Sequence, residues 1–273
     1  MESFDIEVQR LTKRYGDVAA IVDLDFSVRR GATVALLGGN GAGKTTTLSI
    51  LIGLLVPTSG RVTVLGEDML RHRYRVLHRL NYSSPYVDLP HRLTVKDNLT
   101  VFGHLYQLDG LRARIGRLSE ELGFTRLLKR PFGSLSAGQK TRVVLAKALL
   151  NEPDVLLMDE PTASLDPDMA DYVRAYLQAY QARTGATLLL ASHNMQEVER
   201  LCQDVVMLRE GVKVDQGPPH ALIAKYGRQT LEDVFIDIAR KRRRPGEAED
   251  VPPPPPGKPV AGNGGGTRSR EAT

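Results

Sequence analysis

Apolar and polar positions follow two different rhythms along this chain. Val18, Ala20, Val22, Leu24 and Phe26 fall at every second position, the spacing of a half-buried strand. Thr33–Leu37 (TVALL) is instead a short unbroken apolar run, as expected of a strand covered on both faces. Glycine-rich sequence follows, then a helix-like stretch over 44–55. Val155–Met158 and Thr187–Ala191 read as two more buried strands, with helical spacing over 167–183 between them and 194–202 after them. Strands alternating with helices predict an α/β fold with a parallel sheet and helices on its faces. Between about 86 and 150 the rhythm changes. Helical spacing over 94–108, 112–122 and 138–150, with no convincing strand, predicts a helical lobe inserted into the α/β core. Two short apolar stretches at 205–208 and 212–214 flank Arg209-Glu210-Gly211, the pattern of a hairpin.

Composition bounds what these elements can build. The 273 residues, 41% apolar and 25% charged, suffice for one good-sized core or two lobes sharing one. No apolar run approaches the roughly 20 residues needed to span a bilayer, and the longest, over 48–56, is interrupted by Ser49 and Gly53. The first residues carry no basic segment followed by an apolar one, so no signal peptide is expected and the product is placed in the cytoplasm. The single cysteine, Cys202, allows no internal disulfide and no cysteine-based metal cage. It reads as a small apolar filler on a helix; a reactive thiol would need a setting that lowers its pKa.

The net charge of +5 is unevenly spread. Residues 240–273 hold eight basic and four acidic residues, a net of +4, which leaves +1 on the rest. That near-neutral remainder lacks the basic footprint that nucleic-acid binding requires. Residues 241–273, with the run Lys241–Arg244, five consecutive prolines and glycine-rich sequence, cannot bury a core and are expected to be a disordered tail. The tail is either a solvated extension or a contact for anionic lipid headgroups, where each basic residue near the surface contributes about 1 kcal/mol.

The chemistry begins after the TVALL strand. Gly38, Gly39, Asn40, Gly41, Ala42, Gly43, Lys44 and Thr45 fit the pattern G-x-x-x-x-G-K-[ST], and Thr46 follows. The motif lies where it must, after a predicted strand and at the start of a predicted helix. Glycines let the backbone double back so that its N–H groups converge on phosphate oxygens, and the helix N-terminus adds a positive dipole end. Lys44 is placed to reach the β- and γ-phosphates of ATP, and the Thr45 hydroxyl to ligate Mg²⁺.

The run Val155–Met158 ends in Asp159 and Glu160. Alone, such a pair reads equally well as a cap on the next helix. Beside a phosphate loop, Asp159 is expected to hold Mg²⁺ and Glu160 to polarise the attacking water as a general base.

Leu135-Ser136-Ala137-Gly138-Gln139 resembles the LSGGQ signature of ABC transporter ATP-binding subunits, with one conservative change. It opens an apparent helix and precedes VLLMDE by a short interval. His193, after TLLLAS, resembles that family's switch histidine, and Ser164-Leu165-Asp166 resembles the loop beyond its carboxylates. Tyr15 matches the aromatic that stacks on adenine. The resemblance covers residues 4–240 in the right order. It implies a P-loop NTPase core with a RecA-like parallel sheet, an antiparallel β subdomain and an inserted α-helical subdomain. It further implies an ATP-bound homodimer in which Ser136, Gly138 and Gln139 of one copy meet the nucleotide held by the other. His193 would contact the γ-phosphate. As a residue type, Ser136 reads equally as an N-cap.

One segment departs from that family. Counting back from Leu93-Thr94-Val95 puts Pro85 where a glutamine is usual, and proline offers no side-chain ligand and no N–H. Mg²⁺ is therefore expected to rely on Thr45, Asp159 and water. Without a spanning segment, the chain would power a separate membrane permease from the inner face of the membrane. The compact length and the ending Thr230–Phe235 resemble export subunits; an import subunit and a soluble ABC ATPase are the alternatives.

Overall fold

The computed structural model describes residues 3–84, 87–163 and 165–240. The chain runs β1 (Phe4–Tyr15), β2 (Val18–Arg29), β3 (Thr33–Leu37), α1 (Lys44–Leu51), β4 (Ser59–Val64), β5 (Glu67–Asp68) and β6 (Leu80–Ser83). It continues through α2 (Val95–Leu105), α3 (Leu111–Glu121), α4 (Ala137–Leu149), β7 (Val155–Asp159), α5 (Pro167–Thr184), β8 (Thr187–Ser192) and α6 (Met195–Leu201). Last come β9 (Asp204–Arg209), β10 (Val212–Gly217), α7 (Pro219–Tyr226) and α8 (Leu231–Arg240). Among the described residues, no helix is long and apolar enough to cross a membrane.

The main sheet has the order β10-β9-β3-β8-β7-β6. Its neighbours are parallel except for the β9–β10 hairpin. The unbroken apolar runs are its inner strands, because both faces are covered. Ala35, Leu37, Leu156, Met158, Leu188 and Leu190 face a core shared with α2 to α8. Val34, Leu36, Val155, Leu157, Leu189 and Ala191 face a second core shared with α1 and a four-stranded antiparallel sheet, β2-β1-β4-β5. Burying each large aliphatic side chain there stabilises the fold by about 1.5–3 kcal/mol, enough to fix the strand register.

The β2 strand forms, but its inward face differs from the expected alternation. Ile21, Leu24, Phe26 and Val28 are buried, whereas Val22 is exposed. The pairing with β1 shifts register between Leu24 and Ile21, and Asp23 adopts φ 46°. This bulge turns the first half of the strand over by one residue. The α1 helix is shorter than the 44–55 stretch and stops at Ile52. Gly53, at φ 72°, supplies the left-handed residue that ends it.

The three expected helices of the 86–150 region are α2, α3 and α4. A capping box starts α2: Asp97 N–H donates to Thr94 Oγ1, and Thr94 N–H donates to the Asp97 carboxylate. Cys202 follows the last residue of α6 and is buried, and burial pushes its thiol up, away from reactivity.

Candidate functional site

Register alone gathers the site. Leu37 of β3 lies opposite Ser192 of β8, and Asp159 of β7 lies opposite Ala191 of the same strand. Three parallel strands therefore end in one row, and the residues after them leave the sheet at the same edge. That edge carries the phosphate loop, Asp159–Glu160 and His193. The carboxyl edge of a parallel sheet is where α/β folds bind ligands.

The loop from Gly38 to Thr46 wraps the start of α1. Gly41 and Gly43 have φ 76° and 96°, conformations that side chains resist. A Cβ on Gly38 would lie 2.5 Å from Leu208 O, and one on Gly43 2.8 Å from Ala20 O, so backbone packs directly on backbone at both. No side chain caps α1 at Gly43. Its first N–H groups are thus oriented as an anion cradle of the kind the motif requires.

Lys44 is buried, and its Nζ donates to Gly38 O at 2.6 Å and Gly39 O at 3.2 Å. Burial lowers its pKa, opposed by the charges of Glu160 and Asp159. The ammonium is therefore held along its own loop by carbonyl dipoles, where phosphate oxygens would be stronger partners.

Thr45 Oγ1 donates to Asp159 Oδ2 at 2.8 Å. Asp159 is only 3% exposed, and burial raises its pKa; the Thr45 hydrogen bond and Lys44 oppose that shift, while Glu160 adds to it. A buried carboxylate paired with a hydroxyl is an oxygen donor set that suits Mg²⁺, a hard cation that keeps water and phosphate ligands as well. Tyr82, at 3.5 Å from the same Oδ2, is a neighbour that the sequence did not single out. Burial raises its pKa, so it stays a neutral donor.

Glu160 takes φ 50°, and its N–H donates to Ala191 O at 2.8 Å. This unusual backbone turns its carboxylate toward His193, whose Nδ1 lies 2.6 Å from Glu160 Oε1. Glu160 is mostly buried, whereas His193 stands in solvent at 61% side-chain exposure. Two further hydroxyl side chains in these loops, Thr162 and Ser192, bond to buried Glu197. Sequence reasoning assigned none of the three a role, although Ser192 stands in the segment that carries His193. The only signal was their place, within two residues of Glu160 or four of His193.

An open cleft of ≈ 460 Å³, within the range of small-molecule sites, is walled by Val18–Ala20, Gly39–Thr46, Asp159, Glu160, Ala163 and His193. Tyr15 ends β1 opposite Val18, at 51% exposure beside the cleft, with Lys13 Nζ 4.9 Å from its ring centroid. Ser136, Gly138 and Gln139 are not among the cleft's walls. Ser136 is the N-cap of α4: Gln139 N–H donates to Ser136 Oγ, and Ser136 N–H donates to Gln139 Oε1. The two expectations for this serine are compatible, because the cap leaves it exposed on the surface. Pro85 and Ser164 lie outside the described residues.

Much of the chain is similar to known proteins. The model of the ABC transporter family matches residues 21–163. A Nod factor export ATP-binding protein I from Ralstonia nicotianae is 40% identical over 221 residues, 80% of this chain and 68% of that one. A solved ATP-binding subunit of an ABC transporter superposes with a TM-score of 0.78 at 27% identity, covering 86% of this chain and 99% of that one. A dimeric ATP-binding cassette, solved in a post-hydrolysis state with ADP and Pi, shares the fold at a TM-score of 0.72 and 22% identity, covering 78% of this chain and 98% of that one.

Proposed function

This chain belongs to the ABC transporter family, and from that premise we propose that it is the ATP-hydrolysing subunit of an exporter, acting on a separate membrane permease. The observation that carries the proposal is the meeting of Lys44, Thr45, Asp159, Glu160 and His193 on one cleft. Export is supported by the relative at 40% identity, whose name gives the direction of its own transport. Residues 1–240 would form the ATP-binding domain, with a helical part over 86–150, and 241–273 a basic tail suited to contact with an anionic membrane surface.

In this reading the phosphate loop's N–H groups and Lys44 hold the β- and γ-phosphates. Mg²⁺ would be held by Thr45 and Asp159, and when bound it would neutralise charge on those phosphates. Glu160 accepts a proton from water as the water oxygen attacks the γ-phosphorus and the bond to the β–γ bridging oxygen breaks. His193 orients Glu160 and meets the γ-phosphate. Tyr15 supplies a face for adenine. Ser136, Gly138 and Gln139 act across a homodimer, as in a two-copy assembly of the kind solved for the post-hydrolysis relative.

The test has two arms. Purified chain should hydrolyse ATP in Mg²⁺, and Glu160→Gln should not; equal rates would remove the assigned chemistry. Affinity-tagged chain should recover a permease from solubilised membranes. Recovery of only a binding-protein-dependent import permease would reverse the direction.

A further inference from the structure

Glu197 is 1% exposed, the most deeply buried carboxylate among the described residues. Burying a carboxylate is costly unless hydrogen bonds compensate it. Here each oxygen has one short partner, one in the loop after β7 and the other at the end of β8. Thr162 Oγ1 donates to Oε1 at 2.7 Å, and Ser192 Oγ donates to Oε2 at 2.7 Å. Thr162 lies two residues after Glu160; Ser192 lies immediately before His193. The Ser192 oxygen also accepts from Asn194 N–H at 3.0 Å, so it is fixed from both sides of His193. Glu197 is itself held in place, because its N–H donates to the Asn194 side chain at 3.1 Å.

We infer that Glu197 is a positioning residue for hydrolysis: it ties the loop after β7 to the end of β8, next to His193, and so fixes Glu160 against His193. The inference rests on the ATPase reading of this cleft. Without it, one backbone bond among the described residues joins the loop after β7 to the end of β8 beside the reacting side chains, from Glu160 N–H to Ala191 O. Glu160 keeps φ 50°, a conformation that a non-glycine residue holds only when its surroundings over-determine it. The carboxylate strut adds to the restraint that the Ala191 bond provides. Packing alone would be served by an apolar side chain of similar volume, at no desolvation cost. What the carboxylate adds is two acceptors aimed at two segments. Losing them frees the Glu160–His193 pair to drift, and displacements of about 1 Å in a reacting group cost on the order of 100-fold in rate.

The test compares Glu197→Ala and Glu197→Gln with wild type in steady-state ATPase assays and thermal melts. Glu197→Ala should lower kcat about 10–100-fold and change KM for ATP less than about threefold, because the phosphate loop is untouched. Glu197→Gln, which keeps one acceptor, should recover much of the loss. Adding Glu197→Ala to His193→Ala should lower kcat little further than His193→Ala alone, since residues acting through one unit are non-additive. If Glu197→Ala fails to fold, Thr162→Val, which keeps the side chain's shape, and Ser192→Ala, which loses only one atom, each remove one strut, and each should lower kcat with KM preserved. Folded variants that keep wild-type kcat, or losses that add to that of His193→Ala, overturn the inference alone. A wild-type chain with no ATPase activity overturns the underlying reading instead.

Discussion

His193 Nδ1 stands 2.6 Å from Glu160 Oε1, although the two residues leave different strands and differ in exposure, 61% against 14% for their side chains. The exposed imidazole is free to meet a ligand, and the sheltered carboxylate is held where a general base would act. Removing the base while keeping its shape should therefore separate binding from chemistry. Glu160→Gln is expected to lower kcat on the order of 10²–10⁴-fold, the usual contribution of a positioned general base. Nucleotide affinity, measured with a fluorescent ATP analogue, should remain within a few-fold, since Lys44 and the loop are unchanged.

Asp159 carries a cost that its function explains. Burial raises its pKa, so the ionised carboxylate weakens the nucleotide-free fold above that pKa, and the weakening disappears as pH falls through it. Asp159→Asn keeps an acceptor for the Thr45 hydroxyl and removes the charge. Without nucleotide or Mg²⁺ at neutral pH, the variant should melt higher than wild type by about 2–4 °C, corresponding to ~1 kcal/mol. The gap should narrow as pH is lowered into the carboxylate range. ATPase activity should meanwhile fall at least about 100-fold, a trade of function for stability common at charged sites. Thermal melts across pH, paired with activity assays, check both signs.

The parts of this site that were legible in sequence are the parts that are contiguous. The β3, β7 and β8 strands announce themselves as unbroken apolar runs because both sheet faces are buried. Gly38–Thr46 and Asp159–Glu160 sit directly on their ends. The β1 strand was not legible: Arg10 at φ 45° and a register shift between Val8 and Leu11 break its alternation. The β6 strand was hidden for another reason. It is four residues long, and its buried Asn81 is satisfied by Ala148 O, the Asn151 side chain and the Tyr106 hydroxyl. A polar residue solvated by partners 25 or more positions away leaves no local periodicity. The struts from Glu197 are tertiary in the same sense, joining residues 162, 192 and 197 through one side chain.

Lys44 now bonds to carbonyls of its own loop, at Gly38 and Gly39. Phosphate would replace those neutral acceptors with charged ones, roughly doubling the strength of each bond. Lys44→Ala should therefore weaken ATP binding by about 1.5–3 kcal/mol, the range for hydrogen bonds to charged groups. Isothermal titration should show a roughly 10- to 150-fold rise in Kd on that scale. An unchanged Kd would remove the lysine from the phosphate site.

The claim that Ser136, Gly138 and Gln139 work on a second copy's nucleotide can be tested by a change that favours the isolated chain. Gly138 is the second residue of α4, after the Ser136 cap. An aspartate there places a negative charge beside the positive end of the helix, a position that stabilises helices by about 0.3–1 kcal/mol. It also removes a glycine, which disfavours helix formation. Gly138→Asp should therefore melt at or above the wild-type temperature and bind ATP as a monomer with unchanged affinity. If that helix end meets a γ-phosphate held by a partner, the same charge repels it. In the Glu160→Gln background, where bound ATP persists, light scattering should show an ATP-dependent dimer that Gly138→Asp abolishes. Gly138→Asp in the wild-type chain should lose ATPase activity at least about 100-fold, because like charges brought together cost several kcal/mol. An ATP-dependent dimer that survives Gly138→Asp would place the signature helix away from the nucleotide.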